Sequence, residues 1–169
     1  MAEGFAADGL PADKAERYAE VAVQIAAVLE GEPNLTARMA TVASMLNAAF
    51  DTFFWTGFYV VDPAKPCELV VGPYQGTLGC LRIAFGRGVC GTAAAERRTV
   101  IVEDVHAFPG HIACDAASRS EIVLPVIDGA GDLIAVLDVD STELAAFDAV
   151  DQDGLEGILA QVFAGSPSR

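Results

Sequence analysis

Helical patterns lie at the two ends of this chain, and strand patterns fill its middle. Apolar residues recur at helical spacing in three segments, 14–29, 36–50 and 148–163. Between them, β-branched and aromatic runs predict strands at 54–61, 68–71, 81–85, 99–103, 121–127 and 133–140. Most connections between these strands are shorter than the dozen or more residues that a parallel crossover needs. The pattern therefore predicts an α+β fold around a central, largely antiparallel sheet.

The length and charge of the chain restrict the kind of protein it can be. Its 169 residues fit one domain, expected over 14–163, between flexible ends at 1–13 and 164–169. A net charge of −14 disfavours binding to nucleic acid or to anionic membrane surfaces. The sequence has no apolar run of membrane-spanning length, and residues 1–11 lack a signal-peptide pattern. We therefore expect a cytoplasmic protein whose thiols are kept reduced.

One glycine motif, GRGVCG at 86–91, matches the G-x-G-x-x-G fingerprint of dinucleotide-binding proteins. A predicted strand precedes it and a short helix, at about 91–97, follows. Only seven residues separate Gly91 from Thr99, where the next strand begins, and a parallel crossover needs more. The glycines are therefore interpreted as a tight turn that brings the backbone close to a ligand or a neighbouring strand.

The long polar loop at 104–120 carries the first candidate for chemistry, Cys114. His111, Arg119 and a possible helical turn after Cys114 would each favour the thiolate over the thiol. An ordinary cysteine is only a few per cent ionised at neutral pH, so such help matters to a nucleophile. Taken alone, a single cysteine such as Cys114 is more often an inert buried thiol than a nucleophile.

Further cysteines favour redox chemistry. Cys80 and Cys90 flank the strand at 81–85, where either could approach Cys114. A nucleophile that becomes a sulfenic acid needs a second thiol with which to condense. Cys67 is predicted to lie in a surface turn after Lys65-Pro66 and is assigned no role.

Three carboxylates form the other candidate group. Asp138 and Asp140 alternate onto one face of their strand, and Glu121 opens the strand expected beside it. Such acids could bind an ammonium group, or donate a proton to an oxygen if burial keeps one of them neutral. Trp55 and Tyr59 also share a face, either as core residues or as a cover over a methyl or sulfur group.

Metal and hydrolase chemistry are weaker interpretations. His106, His111 and Cys114 are close in sequence, but no C-x₂-C pair accompanies them, so no metal site is predicted. A Ser-His-Asp hydrolase would need a nucleophile elbow of the G-x-S-x-G type, which the sequence lacks.

Several segments together resemble one known family. They are WTGFY at 55–59, GPYQG at 72–76, RIAFGRGVCGTAA at 82–94, EDVHAFPGHIACDAASRSEIVLP at 103–125 and VLDVDS at 136–141. Over about 35–162 the chain resembles the free methionine-R-sulfoxide reductases, which are stand-alone GAF domains. The resemblance implies a GAF fold with the terminal helices on one face of the sheet, a homodimer, and reduction of free L-methionine (R)-S-oxide.

The same resemblance implies roles for individual residues. Cys114 matches the catalytic cysteine, Cys80 a resolving cysteine and Cys90 a further, auxiliary cysteine. The positions that match the substrate-holding residues of the family are Trp55, Glu121, Asp138 and Asp140, beside which Tyr59 is a candidate. No bound cofactor is expected, and thioredoxin, with electrons from NADPH, is the expected reductant.

Two other classes of function stay open on the sequence. The chain could be a GAF module that senses a small molecule without chemistry, although such modules are usually joined to an output domain. It could also be a redox-sensing or zinc-binding interaction protein. Conversion of methionine sulfoxide to methionine would distinguish the enzyme from both.

Overall fold

A computed structural model describes residues 5, 7–111 and 115–165 of the chain. The elements follow the predicted order, with bounds within a few residues of those expected. The helices are α1 (Lys14–Val28), α2 (Leu35–Ala49), α3 (Gly88–Glu96) and α4 (Ala149–Phe163), with a 3₁₀ turn at Val105–Ala107. The strands are β1 (Trp55–Asp62), β2 (Lys65–Gln75), β3 (Arg82–Ala84), β4 (Val100–Val102), β5 (Ser120–Ile127) and β6 (Leu133–Ser141).

All six strands form one antiparallel sheet in the order β3-β2-β1-β6-β5-β4. Hairpins join β1 to β2 and β5 to β6, and the central pair, β1 and β6, comes from distant parts of the chain. Because side chains alternate along a strand, each strand supplies residues to both faces of the sheet. The predicted α+β fold with an antiparallel sheet is confirmed.

The terminal helices α1, α2 and α4 cover one face of the sheet. Their apolar sides pack with Phe58, Leu124 and Leu137 into the larger core cluster. Side-chain caps fix where the helices begin, and Asn34 accepts a hydrogen bond from the N–H of Ala37 at 3.0 Å. The predicted placement of the terminal helices is therefore confirmed.

The short helix α3 lies on the opposite face, in a second and smaller apolar cluster with β1, β2, β3 and β5. Close packing explains one glycine, because a Cβ at Gly91 would lie 2.4 Å from the carbonyl oxygen of Ala84. Gly88 has a φ of 60°, a conformation that other residues rarely adopt. The strands before and after α3 lie at opposite edges of the sheet, so the glycine motif is not part of a βαβ dinucleotide unit.

One local prediction is wrong, because Cys67 lies inside β2 and not in a surface turn. Pro66 has no N–H to give to the sheet, but it occupies the second residue of the strand, where a proline is tolerated. Cys67 itself is exposed and carries a free thiol. Among the described residues, no helix combines the length and the apolar character needed to cross a bilayer.

Candidate active site

A pocket opens on the α3 face of the sheet, at the end where β1 begins and β6 ends. Sheet register creates it, because Trp55 pairs with Asp140, and Asp140 pairs in turn with Glu121. Asp138 lies two residues from Asp140 on the same face. The empty space in the pocket is about 520 Å³, a volume that includes open solvent at its mouth. The sheet thus brings together the carboxylates and the tryptophan predicted from sequence.

Three side chains form a tight polar cluster at the bottom of the pocket: Cys90, Glu121 and Asp138. They are 4 to 5 % exposed, and one S or O atom from each lies within 4.8 Å of the others. Cys90 Sγ is 3.9 Å from Glu121 Oε1. Asp138 Oδ1 is buried and has no hydrogen-bond partner among the described residues. Such an oxygen is costly to leave unpaired, so it is suited to receive a donor from a ligand.

Burial makes these groups weak acids. Desolvation, followed by the charges of Asp138 and Asp140, raises the pKa of Glu121 well above its usual value. Desolvation also raises the pKa of Asp138 to about 7, although hydrogen bonds with Cys90 and Glu121 oppose the shift. The pKa values of Asp140 and of the Cys90 thiol are raised by the same desolvation. The site can therefore hold a neutral carboxylic acid at neutral pH, which is the form that donates a proton.

An aromatic wall closes one side of the pocket. The Trp55 ring stacks on Tyr59 at 5.6 Å and on Tyr74 at 5.0 Å between centroids. Trp55 Nε1 donates to the carbonyl oxygen of Thr77 at 2.9 Å, which fixes the indole. Gly79 packs against this wall, since a Cβ there would lie 3.0 Å from both the Trp55 ring and the Tyr59 hydroxyl. The predicted shared face of Trp55 and Tyr59 is confirmed.

The cysteines occupy different positions. Cys80 lies between β2 and β3 and is disulfide-bonded, whereas Cys67 and Cys90 carry free thiols. Cys90 belongs to the first turn of α3 and to the buried acidic cluster. Cys114, the predicted nucleophile, lies outside the described residues.

Sequence reasoning assigned no role to several groups that line the pocket. The beginning of α3 contributes Arg87, Gly88 and Val89, and the loop before β5 contributes Asp115 and Ser118. A helix N-terminus presents free backbone N–H groups and a partial positive charge. For the α3 groups, the sequence signal was the GRGVCG segment itself, which places an arginine beside the close-packed glycines.

His111, which the sequence placed beside the nucleophile, also lines the pocket. Its Nε2 lies 3.8 Å from Glu121 Oε2, and burial lowers its pKa. The imidazole is therefore neutral near pH 7, so it contributes little positive charge to the site. His106 is exposed on the 3₁₀ turn, and Arg119 is exposed as well.

Similarity to known proteins identifies the family to which this chain belongs. The sequence model of the GAF domain matches residues 35–163. A protein of Escherichia coli (strain K12) named free methionine-R-sulfoxide reductase is 43% identical to this chain, with 89% of this chain and 88% of that protein covered. The chain belongs to the free methionine-R-sulfoxide reductase family.

Solved structures agree with this family. The free methionine-R-sulfoxide reductase of Neisseria meningitidis, solved in complex with its substrate, is 46% identical, with a TM-score of 0.86 and coverage of 95% of this chain and 92% of that chain. The Staphylococcus aureus enzyme in complex with substrate is 41% identical, with a TM-score of 0.80 and coverage of 86% and 92%. The fold and family predicted from sequence are confirmed.

Proposed function

We propose that this protein reduces free methionine-R-sulfoxide by nucleophilic attack of Cys114, with the pocket on the α3 face as the substrate site. Family membership assigns the reaction, which converts free L-methionine (R)-S-oxide to L-methionine. The observation that carries the assignment of the pocket is the buried cluster of Cys90, Glu121 and Asp138 beneath the Trp55 wall.

The pocket has groups that complement the sulfoxide end and the amino-acid end of the substrate. The sulfoxide methyl group and sulfur pack against Trp55, since aromatic rings favour apolar and sulfur contacts. Asp138 and Asp140 accept hydrogen bonds from the ammonium group, and Asp138 Oδ1 gains the partner it lacks. The α-carboxylate lies at the N-terminus of α3 beside Arg87, where backbone N–H groups and the guanidinium favour an anion.

Glu121 is the proposed proton donor. Its raised pKa keeps the carboxyl group protonated, and it lies on the pocket side of β5. In the first step, the Cys114 thiolate attacks the sulfur while Glu121 protonates the sulfoxide oxygen. An S–S bond to Cys114 forms as the S–O bond breaks, and the protonated oxygen leaves as hydroxide. Hydroxide then attacks the Cys114 sulfur and the S–S bond breaks, which releases methionine and leaves a sulfenic acid on Cys114. The cysteine is thus oxidised by two electrons and the substrate is reduced by two.

Cys80 is the proposed resolving thiol. Its thiol condenses with the Cys114 sulfenic acid to form a disulfide, and one water molecule leaves. The disulfide at Cys80 and the free thiols at Cys67 and Cys90 support this choice. Cys90 is then an auxiliary hydrogen-bonding member of the acidic cluster. A dithiol protein of the thioredoxin type then reduces the disulfide by thiol–disulfide exchange, with electrons that originate from NADPH, and this completes the cycle.

Four single cysteine variants test this proposal in an NADPH-coupled thioredoxin assay with the separate R and S epimers. Cys114→Ser should abolish reduction of the free R epimer, and wild-type activity in this variant would refute the nucleophile assignment. Cys80→Ser should release about one methionine per protein and then stop. Cys67→Ser is the matched control, because that exposed thiol is outside the pocket, and it should keep full activity. Cys90→Ser should keep turning over, since a hydroxyl can replace the thiol as a donor.

A further inference from the structure

One side chain joins the aromatic wall of the pocket to the loop that follows the nucleophile. Thr77 lies in the connection between β2 and β3, three residues before Cys80. Its hydroxyl donates to Asp115 Oδ2 at 2.6 Å, and its carbonyl oxygen accepts from Trp55 Nε1 at 2.9 Å. Asp115 directly follows Cys114 in the sequence. We call these two hydrogen bonds the Thr77 bridge.

Both ends of the Thr77 bridge are held in place. Trp55 is 4 % exposed and stacks between Tyr59 and Tyr74, so it is a fixed point on the sheet. Asp115 also accepts a hydrogen bond from the N–H of Ala117 at 2.7 Å, which orients its carboxylate. These two bonds lower the pKa of Asp115, so the carboxylate stays charged and the bond to Thr77 is charge-assisted.

We propose that Thr77 is a positioning residue for disulfide formation, because its bond to Asp115 holds the segment that carries Cys80 against the loop that carries Cys114. This inference rests on the proposed function. The step concerned converts Cys114–SOH and HS–Cys80 into a Cys114–S–S–Cys80 bond and water. Its rate depends on how often the two sulfurs meet, and holding both segments together raises that frequency.

The bridge acts after the first chemical step. Thr77 itself does not line the pocket. Its hydroxyl bonds Asp115, a half-buried residue of the pocket lining to which no contact with the substrate is assigned. Loss of its hydroxyl therefore leaves substrate binding and the first methionine release unchanged, because the carbonyl that holds Trp55 remains. Loss of a hydrogen bond of this kind is expected to change the rate of disulfide formation by about 2- to 12-fold.

The test is a single-turnover experiment on the reduced full-length protein, mixed with free methionine-R-sulfoxide without any reductant. Methionine is quantified by rapid quench, and the loss of thiols and the sulfenic acid trapped by a 1,3-diketone are followed over time. In Thr77→Val, methionine should appear at the wild-type rate, disulfide formation should be about 2- to 12-fold slower, and more sulfenic acid should be trapped. Thr77→Ser should restore the wild-type rate, because it keeps the hydroxyl.

A matched control is available elsewhere on the surface. Thr99 donates to Glu156 at 2.5 Å in a similarly exposed threonine–carboxylate bond outside the pocket, so Thr99→Val should change neither rate. An unchanged rate of disulfide formation in Thr77→Val would overturn the inference, and so would an equal slowing of methionine release. Failure of the wild-type protein to form methionine is a different result, which would refute the proposed function itself.

Discussion

Buried carboxyl groups set the chemistry of this site at the residue scale. Asp138 and Glu121 lie at the bottom of the pocket, where water cannot stabilise their charges, and each is close to another acid. A carboxyl group in such a place retains its proton to higher pH than it would in solution. The site therefore offers both proton donation and hydrogen-bond acceptance near neutral pH.

Glu121→Gln should remove the proton donor while keeping the shape of the side chain. We expect kcat with free methionine-R-sulfoxide to fall by about 10²- to 10⁴-fold, the usual contribution of a general acid. In the wild-type protein, activity should decline as pH rises through the raised pKa of Glu121, because the donor form is lost. Glu96→Gln, an exposed change on α3 outside the pocket, is the control. Unchanged kcat in Glu121→Gln would rule out the assigned role.

Arg87 provides a residue-scale test of carboxylate recognition. In Arg87→Gln we expect KM for the free amino acid to rise about 10-fold, with a smaller effect on kcat, because a charged hydrogen bond to the α-carboxylate is lost. The methyl ester of methionine-R-sulfoxide lacks that charge and should respond much less to the same variant. Steady-state kinetics with both compounds check the prediction, and an equal response to the two would contradict it.

At the scale of elements, strand alternation made much of the site predictable. The same period of two that identifies β1 and β6 also places Trp55 with Tyr59, and Asp138 with Asp140, on common faces. What the sequence could not provide was the register between strands, which aligns Trp55, Asp140 and Glu121 in one row. That register depends on packing between distant segments of the chain.

The beginning of α3 was harder to predict. The helix begins at Gly88, three residues before the predicted position, because glycine is a weak helix former and gives no signal for a first turn. The segment is helical because α3 packs against β3 and β5, with Gly91 in close contact with Ala84. Tertiary packing thus decides where this helix starts, and the pocket contacts of Gly88 and Val89 were missed for the same reason.

Two glycines of α4 give a matched prediction about element stability. A Cβ at Gly154 would lie 2.3 Å from the Tyr18 ring of α1, whereas nothing lies within 4 Å of a Cβ at Gly157. Gly154→Ala should lower the free energy of unfolding by about 1–3 kcal/mol through overpacking. Gly157→Ala should raise it by about 0.5–1 kcal/mol, since alanine favours the helix. Urea unfolding monitored by circular dichroism compares the two, and stabilisation by both changes would contradict the packing of α1 on α4.

At the scale of the whole molecule, the acidic pocket weakens the fold as pH rises. Asp138 has a pKa of about 7 in the folded protein against an ordinary 3.8, so the folded state binds its proton more tightly. The contribution of the Asp138 proton to the free energy of unfolding is complete below about pH 4, and it is lost as pH rises towards 7. A buried acid with this cost to stability is typical of a functional site.

Asp138→Asn should therefore change the pH dependence of stability. Relative to the wild-type protein, we expect this variant to gain about 1–3 kcal/mol of unfolding free energy between about pH 4 and pH 8, because asparagine does not ionise. Denaturant titrations across this range measure the difference. Glu30→Gln, an exposed change on the surface, is the control, and a constant difference between wild type and Asp138→Asn at all pH values would contradict the prediction.

The depth of the pocket also bears on which molecules can reach its floor. Strands β1, β5 and β6 close it from below, and the first turn of α3 closes it at one side. A methionine within a polypeptide would bring a peptide bond at each end, and in the proposed binding mode the two ends of the amino acid meet ionic groups and packed backbone. A methionine sulfoxide residue in an intact protein would thus be excluded by the polypeptide on either side of it, whereas the free amino acid can enter the pocket.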